Sequence, residues 1–253
     1  MAKPVTTGAS LAVRDLSFTV GGVRILDKVN LEVGAGEFLG VIGPNGAGKT
    51  TLFNVLSGLL TETGGEARLD GREITGLPVF ARARAGLGRT FQTSSVFPRL
   101  SALENVRLAA EADAGGSLRI WGGTGSTLGF AQECLDRVGL GARAGRPAGS
   151  LSHGDKRKLE IAIVLATSPQ LLMLDEPMAG LGMEDVPEIS DLVRSLHRDN
   201  GITVLMVEHH IEVLFGLADR IAVMQHGRLI SCDAPDAVMA DPLVQAAYLG
   251  DEL

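Results

Sequence analysis

An α/β fold with a mostly parallel sheet is what this chain of 253 residues predicts. Short apolar runs alternate with segments of helical period, and one strand leads through a glycine-rich loop into a helix. Glycine is also about twice as frequent as its usual ~7%, at 33 residues.

Leu11, Val13, Leu16, Phe18 and Val20, and then Val29, Leu31 and Val33, alternate with more polar neighbours at period two and read as strands. Gly21-Gly22 and Gly34-Ala35-Gly36 separate them as turns. Phe38-Leu39-Gly40-Val41-Ile42 is continuously apolar, the pattern of a strand buried on both faces. After the glycine-rich loop, Leu52, Val55, Leu56 and Leu59 recur at helical spacing, with Gly58 as the stop. From about Thr93 to Ser150 the pattern changes. Helical segments at Ala102 to Ala110 and Phe130 to Val138 flank a low-complexity, mobile separator, Gly115 to Gly129. A helix from about His153 then leads to the strand Leu171 to Leu174, and a helix near Pro187 to His197 leads to the strand Ile202 to Val207. That alternation implies right-handed crossovers between parallel strands. Ile221 to Met224 and Leu229 to Ser231 read as a closing hairpin, and no internal repeat is present.

Composition narrows the function classes. Hydrophobic residues make up 45%, charged residues 21% and aromatics 4%, which is globular and not disordered. Asp and Glu outnumber Lys and Arg by 30 to 23, for a net charge of −7, so no nucleic-acid partner is expected. Cys134 and Cys232 are too few for a disulfide framework. Residues Met1 to Ser10 carry one Lys and no apolar h-region, so no signal peptide is expected. No apolar stretch approaches the roughly 20 residues of a membrane helix, which points to a cytoplasmic chain that does not span a bilayer.

Two motifs carry chemistry. Gly43-Pro44-Asn45-Gly46-Ala47-Gly48-Lys49-Thr50 matches G-x-x-x-x-G-K-[ST], after a buried strand and before a helix. Its glycines let backbone N–H groups wrap phosphates, and the helix N-terminus adds its positive end. Lys49 reaches the β- and γ-phosphates in this reading, and Thr50 ligates Mg²⁺. A glycine turn followed by a chance Lys-Thr is the competing reading, which the flanking strand and helix disfavour. The second motif is Asp175-Glu176, at the carboxyl end of an apolar strand where α/β sheets bind ligands. Asp175 is the candidate Mg²⁺ holder through water, and Glu176 the group that polarises an attacking water. Standing alone the pair reads equally well as a solvated strand end.

With these residues in place the chain resembles an ATP-binding-cassette ATPase. Leu151-Ser152-His153-Gly154-Asp155 resembles that family's LSGGQ signature, Arg89-Thr90-Phe91-Gln92 its Q-loop, and Val207-Glu208-His209 its switch-histidine segment. The five motifs stand in the family's order along nearly the whole chain. The resemblance implies a P-loop NTPase, RecA-like core with a mostly parallel sheet, an N-terminal antiparallel β subdomain and an inserted α-helical subdomain. It implies one domain over 1–253, with 8–92 and 159–253 as nucleotide-binding core and 93–158 as the helical signature subdomain. ATP and Mg²⁺ are the implied ligands. Thr51 joins the phosphate loop, Gln92 touches Mg²⁺ or water, and His209 contacts the γ-phosphate. Ser152 and Gly154 complete the site of a second cassette in a homo- or heterodimer. Ser152 also reads as a helix N-cap, with Asp155 three residues on as in a capping box.

Integral membrane permease subunits are the implied partners, with a solute-binding protein engaged indirectly. The chain is then peripheral on the cytoplasmic face of the cell membrane. Phe91, Phe97 and Leu100 are either a docking surface for the permease or core packing. Phrasing such as Leu103-Glu104-Asn105-Val106, Leu159-Glu160-Ile161-Ala162 and Ala247-Tyr248-Leu249-Gly250 is similar to the ATPases of branched-chain amino acid and urea or amide importers, with His153 closer to the urea-type branch. Three positions depart from the family pattern. Val20 stands where an aromatic often underlies the adenine, with Phe18 on the same strand face. Asp155 replaces the signature glutamine and brings negative charge towards a phosphate, and Gly182 replaces an Asp or Asn. Retained hydrolysis with altered nucleotide affinity or coupling is the expectation. The alternatives are a soluble ATPase of this family in a non-transport assembly, and another phosphate-loop class. The latter lacks support, since no Asn-Lys-x-Asp guanine-reading segment is present.

Overall fold

In the computed structural model the described residues are 8–90, 96–113 and 124–249. Period-two alternation in the N-terminal strands and continuous apolar runs in the later ones sort into two separate sheets. Strands β1 (Leu11–Val20), β2 (Val23–Val33), β4 (Gly64–Leu69) and β5 (Arg72–Glu73) make an antiparallel sheet ordered β2-β1-β4-β5. Strands β3 (Phe38–Ile42), β6 (Leu87–Arg89), β7 (Leu171–Asp175), β8 (Thr203–Val207), β9 (Arg220–Gln225) and β10 (Arg228–Asp233) make the second, ordered β10-β9-β3-β8-β7-β6. Its pairings are parallel except for the terminal β9–β10 hairpin. The helices are α1 (Lys49–Ser57), α2 (Val79–Arg84), α3 (Ala102–Asp113), α4 (Thr124–Arg137), α5 (His153–Leu165), α6 (Val186–Arg198), α7 (Ile211–Leu217), α8 (Pro235–Ala240) and α9 (Pro242–Leu249).

The apolar runs of β3, β7 and β8 are buried throughout because both sheet faces are covered. Phe38, Leu172, Leu174, Val204 and Met206 face one core, which they share with Ala102 and Val106 of α3 and Ala131, Cys134 and Leu135 of α4. Leu39, Val41, Leu171, Met173, Leu205 and Val207 face the other, shared with α1 and the antiparallel sheet. The helical insertion thus packs into the same core as one face of the parallel sheet.

Several expectations are refined. Gly58 ends α1 in the left-handed conformation, φ 81°, as its position predicts. The separator read as Gly115 to Gly129 is shorter, because α4 already begins at Thr124 and takes Gly125 and Gly129 into the helix. Burial of Ala131, Cys134 and Leu135 against α3 and α5 overrides the ~1 kcal/mol helix penalty of each glycine. Residues 114–123 lie outside the described residues. α3 opens on a reciprocal capping box: the Glu104 N–H donates to Ser101 Oγ at 3.2 Å, and the Ser101 N–H donates to Glu104 Oε2 at 2.8 Å. Opposite Phe18, register shifts leave extra residues in β2, with Phe18 paired to Leu26 and Thr19 to Arg24. Phe18 packs against the core, while Val20, at the end of the strand, is 56% exposed.

α2 carries a buried cation that the sequence reading passed over. Arg82 is 1% exposed and donates to the carbonyls of Val55 (2.7 Å), Leu56 (2.8 Å) and Leu77 (2.8 Å), and its guanidinium lies 3.4 Å from the Glu62 carboxylate. It caps the C-terminal end of α1, the helix that starts at the phosphate loop. Arg82→Met keeps the volume but strands Glu62 and the carbonyls, so unfolding in urea should show a loss of about 3 kcal/mol. An unchanged urea midpoint would refute this role.

Candidate active site

The strand order sets β3, β8 and β7 side by side, so the segments leaving their carboxyl ends meet at one edge of the parallel sheet. From β3 the chain enters the Gly43–Thr50 loop and then α1. Gly43 has φ 150°, and a Cβ there would sit 2.2 Å from the Met224 carbonyl oxygen, so no other residue fits. Gly46, at φ 79°, has open space where its Cβ would project, which leaves its backbone approachable by a ligand. The loop is held from behind: the Gly227 N–H, in the β9–β10 turn, donates to the Ala47 carbonyl at 3.0 Å. Lys49 is 7% exposed and folds its ammonium back onto the carbonyls of Gly43 (2.5 Å) and Pro44 (2.9 Å). Burial pushes its pKa below the ordinary lysine value, opposed by the charge of Glu176. Thr50 is exposed in the first turn of α1, with Thr51 half-buried behind it.

Asp175 ends β7 and is 1% exposed. Its Oδ2 accepts a hydrogen bond from Arg89 Nη2 at 2.8 Å, while Oδ1 is buried without a hydrogen-bond partner. Burial raises its carboxyl above the ordinary value, and the Arg89 hydrogen bond and charge oppose the shift. Arg89, from β6, also donates to Ser57 Oγ of α1 at 2.7 Å and stacks over the Phe53 ring at 5.7 Å. Glu176 follows in the left-handed region at φ 48°, a conformation that non-glycine residues adopt at a cost. Hydrogen bonds hold it there: its N–H donates to the Val207 carbonyl at 2.9 Å, and Arg157 Nη2 donates to its carbonyl at 2.8 Å. Arg157, on α5, also donates to the carbonyls of Asp175 (3.0 Å) and Pro177 (2.9 Å), tying the signature helix to the acidic strand end. The Glu176 carboxylate lies 2.9 Å from His209 Nε2.

The structure therefore brings Lys49, Asp175, Glu176 and His209 to the ends of neighbouring strands. It places Ser152 and Gly154 elsewhere. They form the N-terminus of α5, and among the described residues no hydrogen bond joins them to residues 43–51. Ser152 caps α5, accepting from the Asp155 N–H at 3.1 Å, but the expected capping box is only half made. The Asp155 carboxylate turns instead to Arg143 at 2.6 Å, with Lys158 at 3.9 Å. Its negative charge is thus compensated within the chain. Gln92 and Phe91 lie outside the described residues, and Val20 is exposed at the end of β1.

Sequence reasoning quoted Arg89, Glu208 and Tyr248 only as letters of motifs, and missed Arg157. The signals were weak but present: each is a polar or charged residue at a strand end or on a helix face that the apolar pattern marks as buried. Burial pushes the Tyr248 phenol of α9 up, and a backbone hydrogen bond with Gly43 opposes that shift.

Comparison with known proteins agrees with this geometry. The family model described as ABC transporter matches residues 26–179, and that described as branched-chain amino acid ATP-binding cassette transporter matches residues 228–253. The high-affinity branched-chain amino acid transport ATP-binding protein BraF of Pseudomonas aeruginosa is 37% identical, over 99% of this chain and 100% of its own. Among solved structures, the ADP conformation of MJ1267, an ATP-binding cassette of an ABC transporter, superimposes with a TM-score of 0.85. It has 29% identity over 96% of this chain and 99% of its own. The dimeric post-hydrolysis state of the ATP-binding cassette MJ0796 bound to ADP and Pi gives a TM-score of 0.76, with 27% identity over 89% and 98%. The chain belongs to the ABC transporter family, as a nucleotide-binding, ATP-hydrolysing cassette.

Proposed function

We propose that this cassette drives import of a branched-chain amino acid, urea or a related small polar solute, as the ATPase subunit of a membrane complex. The observation that carries the solute class is the match of residues 228–253 to the branched-chain amino acid cassettes, on a chain whose phosphate loop and acidic pair are both in place. The chain is read as one domain, with 8–92 and 159–253 as core and 93–158 as helical subdomain.

Backbone N–H groups from Gly43, Pro44, Asn45, Gly46, Ala47 and Gly48 to Thr51 would line the phosphates, apart from Pro44, which has none and contributes its fixed turn. Lys49 would exchange its two loop carbonyls for phosphate oxygens. Thr50, Asp175 and Gln92 would hold Mg²⁺, and the unpartnered, buried Oδ1 of Asp175 fits that assignment. When bound, the ion neutralises phosphate charge. Glu176 would take a proton from the attacking water, and His209, fixed against it at 2.9 Å, would hold that water and the γ-phosphate in line. Val20 would lie beside the adenine and give it no aromatic face.

Ser152 and Gly154 would complete the site of a second cassette. That no hydrogen bond joins them to residues 43–51 among the described residues fits that division, as does the dimeric form of the structural relative. Phe97 is 59% exposed and Phe80 63%, so these rings are surface groups suited to a permease contact and are not core. Leu100 is half-buried. Among the described residues no helix is long and apolar enough to cross a membrane. Attachment at the cytoplasmic face would therefore run through the permease.

The test is purification of the tagged chain from native membranes in mild detergent, followed by reconstitution into vesicles. Two integral permease subunits should co-purify, and solute with its binding protein should raise ATP turnover at least about fivefold. Recovery free of membrane subunits, with turnover insensitive to solute, would overturn the importer reading.

A further inference from the structure

Glu208 occupies the position between β8 and His209 and is 3% exposed. A buried carboxylate is costly unless its oxygens are fully engaged. Here they are, and by two different segments. Oε1 accepts the Met178 N–H at 2.7 Å, and Oε2 accepts the His209 N–H at 2.8 Å and the His210 N–H at 3.2 Å. Met178 lies two residues after Glu176, in the turn that leads to Gly180 and Gly182. The result is a closed ring of bonds: Glu176 carboxylate to His209 imidazole, His209 N–H to Glu208 carboxylate, Glu208 to Met178 N–H, and back through two peptides to Glu176. An apolar side chain of the same size would fill the space but could accept none of the three N–H groups.

We propose that Glu208 is a positioning residue for ATP hydrolysis, whose carboxylate sets the spacing and orientation of the Glu176–His209 pair and ties the Met178–Gly182 turn to it. This rests on the assignment of Glu176 and His209 to hydrolysis. The ring explains how two side chains on separate strand ends keep contact although His209 is half-exposed and Glu176 sits in a left-handed backbone conformation. It also gives movement of the turn a rigid route to the histidine, because both segments bond to the same carboxylate.

The experiment is a double-mutant cycle in the reconstituted transporter, with Glu208→Gln, His209→Ala and the pair. Glutamine keeps the size but replaces one acceptor oxygen with an amide that opposes N–H donors. In the wild-type background Glu208→Gln should lower kcat about tenfold with the KM for ATP within about twofold. In the His209→Ala background the same substitution should change kcat by less than about twofold, because the geometry it sets no longer matters. An unchanged kcat, or the same tenfold loss in both backgrounds, overturns the proposal. Thermal unfolding and binding of an ATP analogue identify a variant that fails to fold. In that case Glu208→Asp, which keeps the charge but is too short to span both segments, must give the same kcat-against-KM pattern, or the proposal fails. If His209→Ala alone leaves turnover intact, the assignment of His209 falls, and that result is separate from either outcome for Glu208.

Discussion

Glu176→Gln should lower steady-state ATP turnover at least about a hundredfold while ATP still binds. Glutamine matches glutamate in shape and preserves a hydrogen bond to His209 Nε2 across the same 2.9 Å, but it cannot take a proton from water. The backbone is equally undisturbed, since Glu176 is held at φ 48° through its own main-chain groups, its N–H bonded to the Val207 carbonyl and its carbonyl to the Arg157 guanidinium. With hydrolysis stopped and binding retained, the ATP-bound state accumulates. A stable, ATP-dependent dimer should then appear by light scattering. A variant that turns over near the wild-type rate removes Glu176 as the base. One that binds ATP and stays monomeric, alone and with its membrane partners, removes the two-cassette site.

Lys49→Ala acts one step earlier and should weaken ATP binding at least about a hundredfold, with hydrolysis falling below detection. The lysine is already partly dehydrated, with burial depressing its pKa, and among the described residues its ammonium has the Gly43 and Pro44 carbonyls as hydrogen-bond partners. A phosphate oxygen offers that ammonium a full negative charge where the carbonyls offer dipoles, so the gain on ATP binding is large. The fold should survive, because the α1 backbone hydrogen bonds do not involve the side chain. Calorimetric titration with ATP and far-UV circular dichroism check the two halves. Unchanged affinity would remove Lys49 from the phosphate site.

The fold and the outline of the site were legible because their signals are local. A two-face-buried strand followed by G-x-x-x-x-G-K-[ST] admits few other structures, and Phe38–Ile42 is buried at every position. The continuous apolar runs at Leu171 and Thr203 announce central parallel strands for the same reason. What escaped reading depends on partners distant in sequence. Arg89 meets Asp175 across 86 residues, and Arg157 reaches strand-end carbonyls about twenty residues on; neither link leaves a periodic trace. β4, β5, β6 and α2 were missed because they are two to six residues long, too short for a period to register. Ser101-Ala102-Leu103-Glu104 did carry a readable signature, the capping box that starts α3, but the helix was read from Ala102 on without Ser101 as its cap. At Ser152 the same pattern misled, because Arg143 competes for the Asp155 carboxylate and wins.

The strand order has a consequence for biosynthesis. β3 carries the phosphate loop and is made early, but its two neighbours are β8 and β9, with Val41 opposite Val207 on one side and Ala222 on the other. Until about 160 further residues have left the ribosome, β3 has no native partner on either edge, and its apolar length must be kept from wrong pairings. The loop is consequently among the first functional segments translated and among the last to acquire a rigid base. A nascent chain therefore lacks this loop geometry until β8, β9 and the Gly227 turn have emerged.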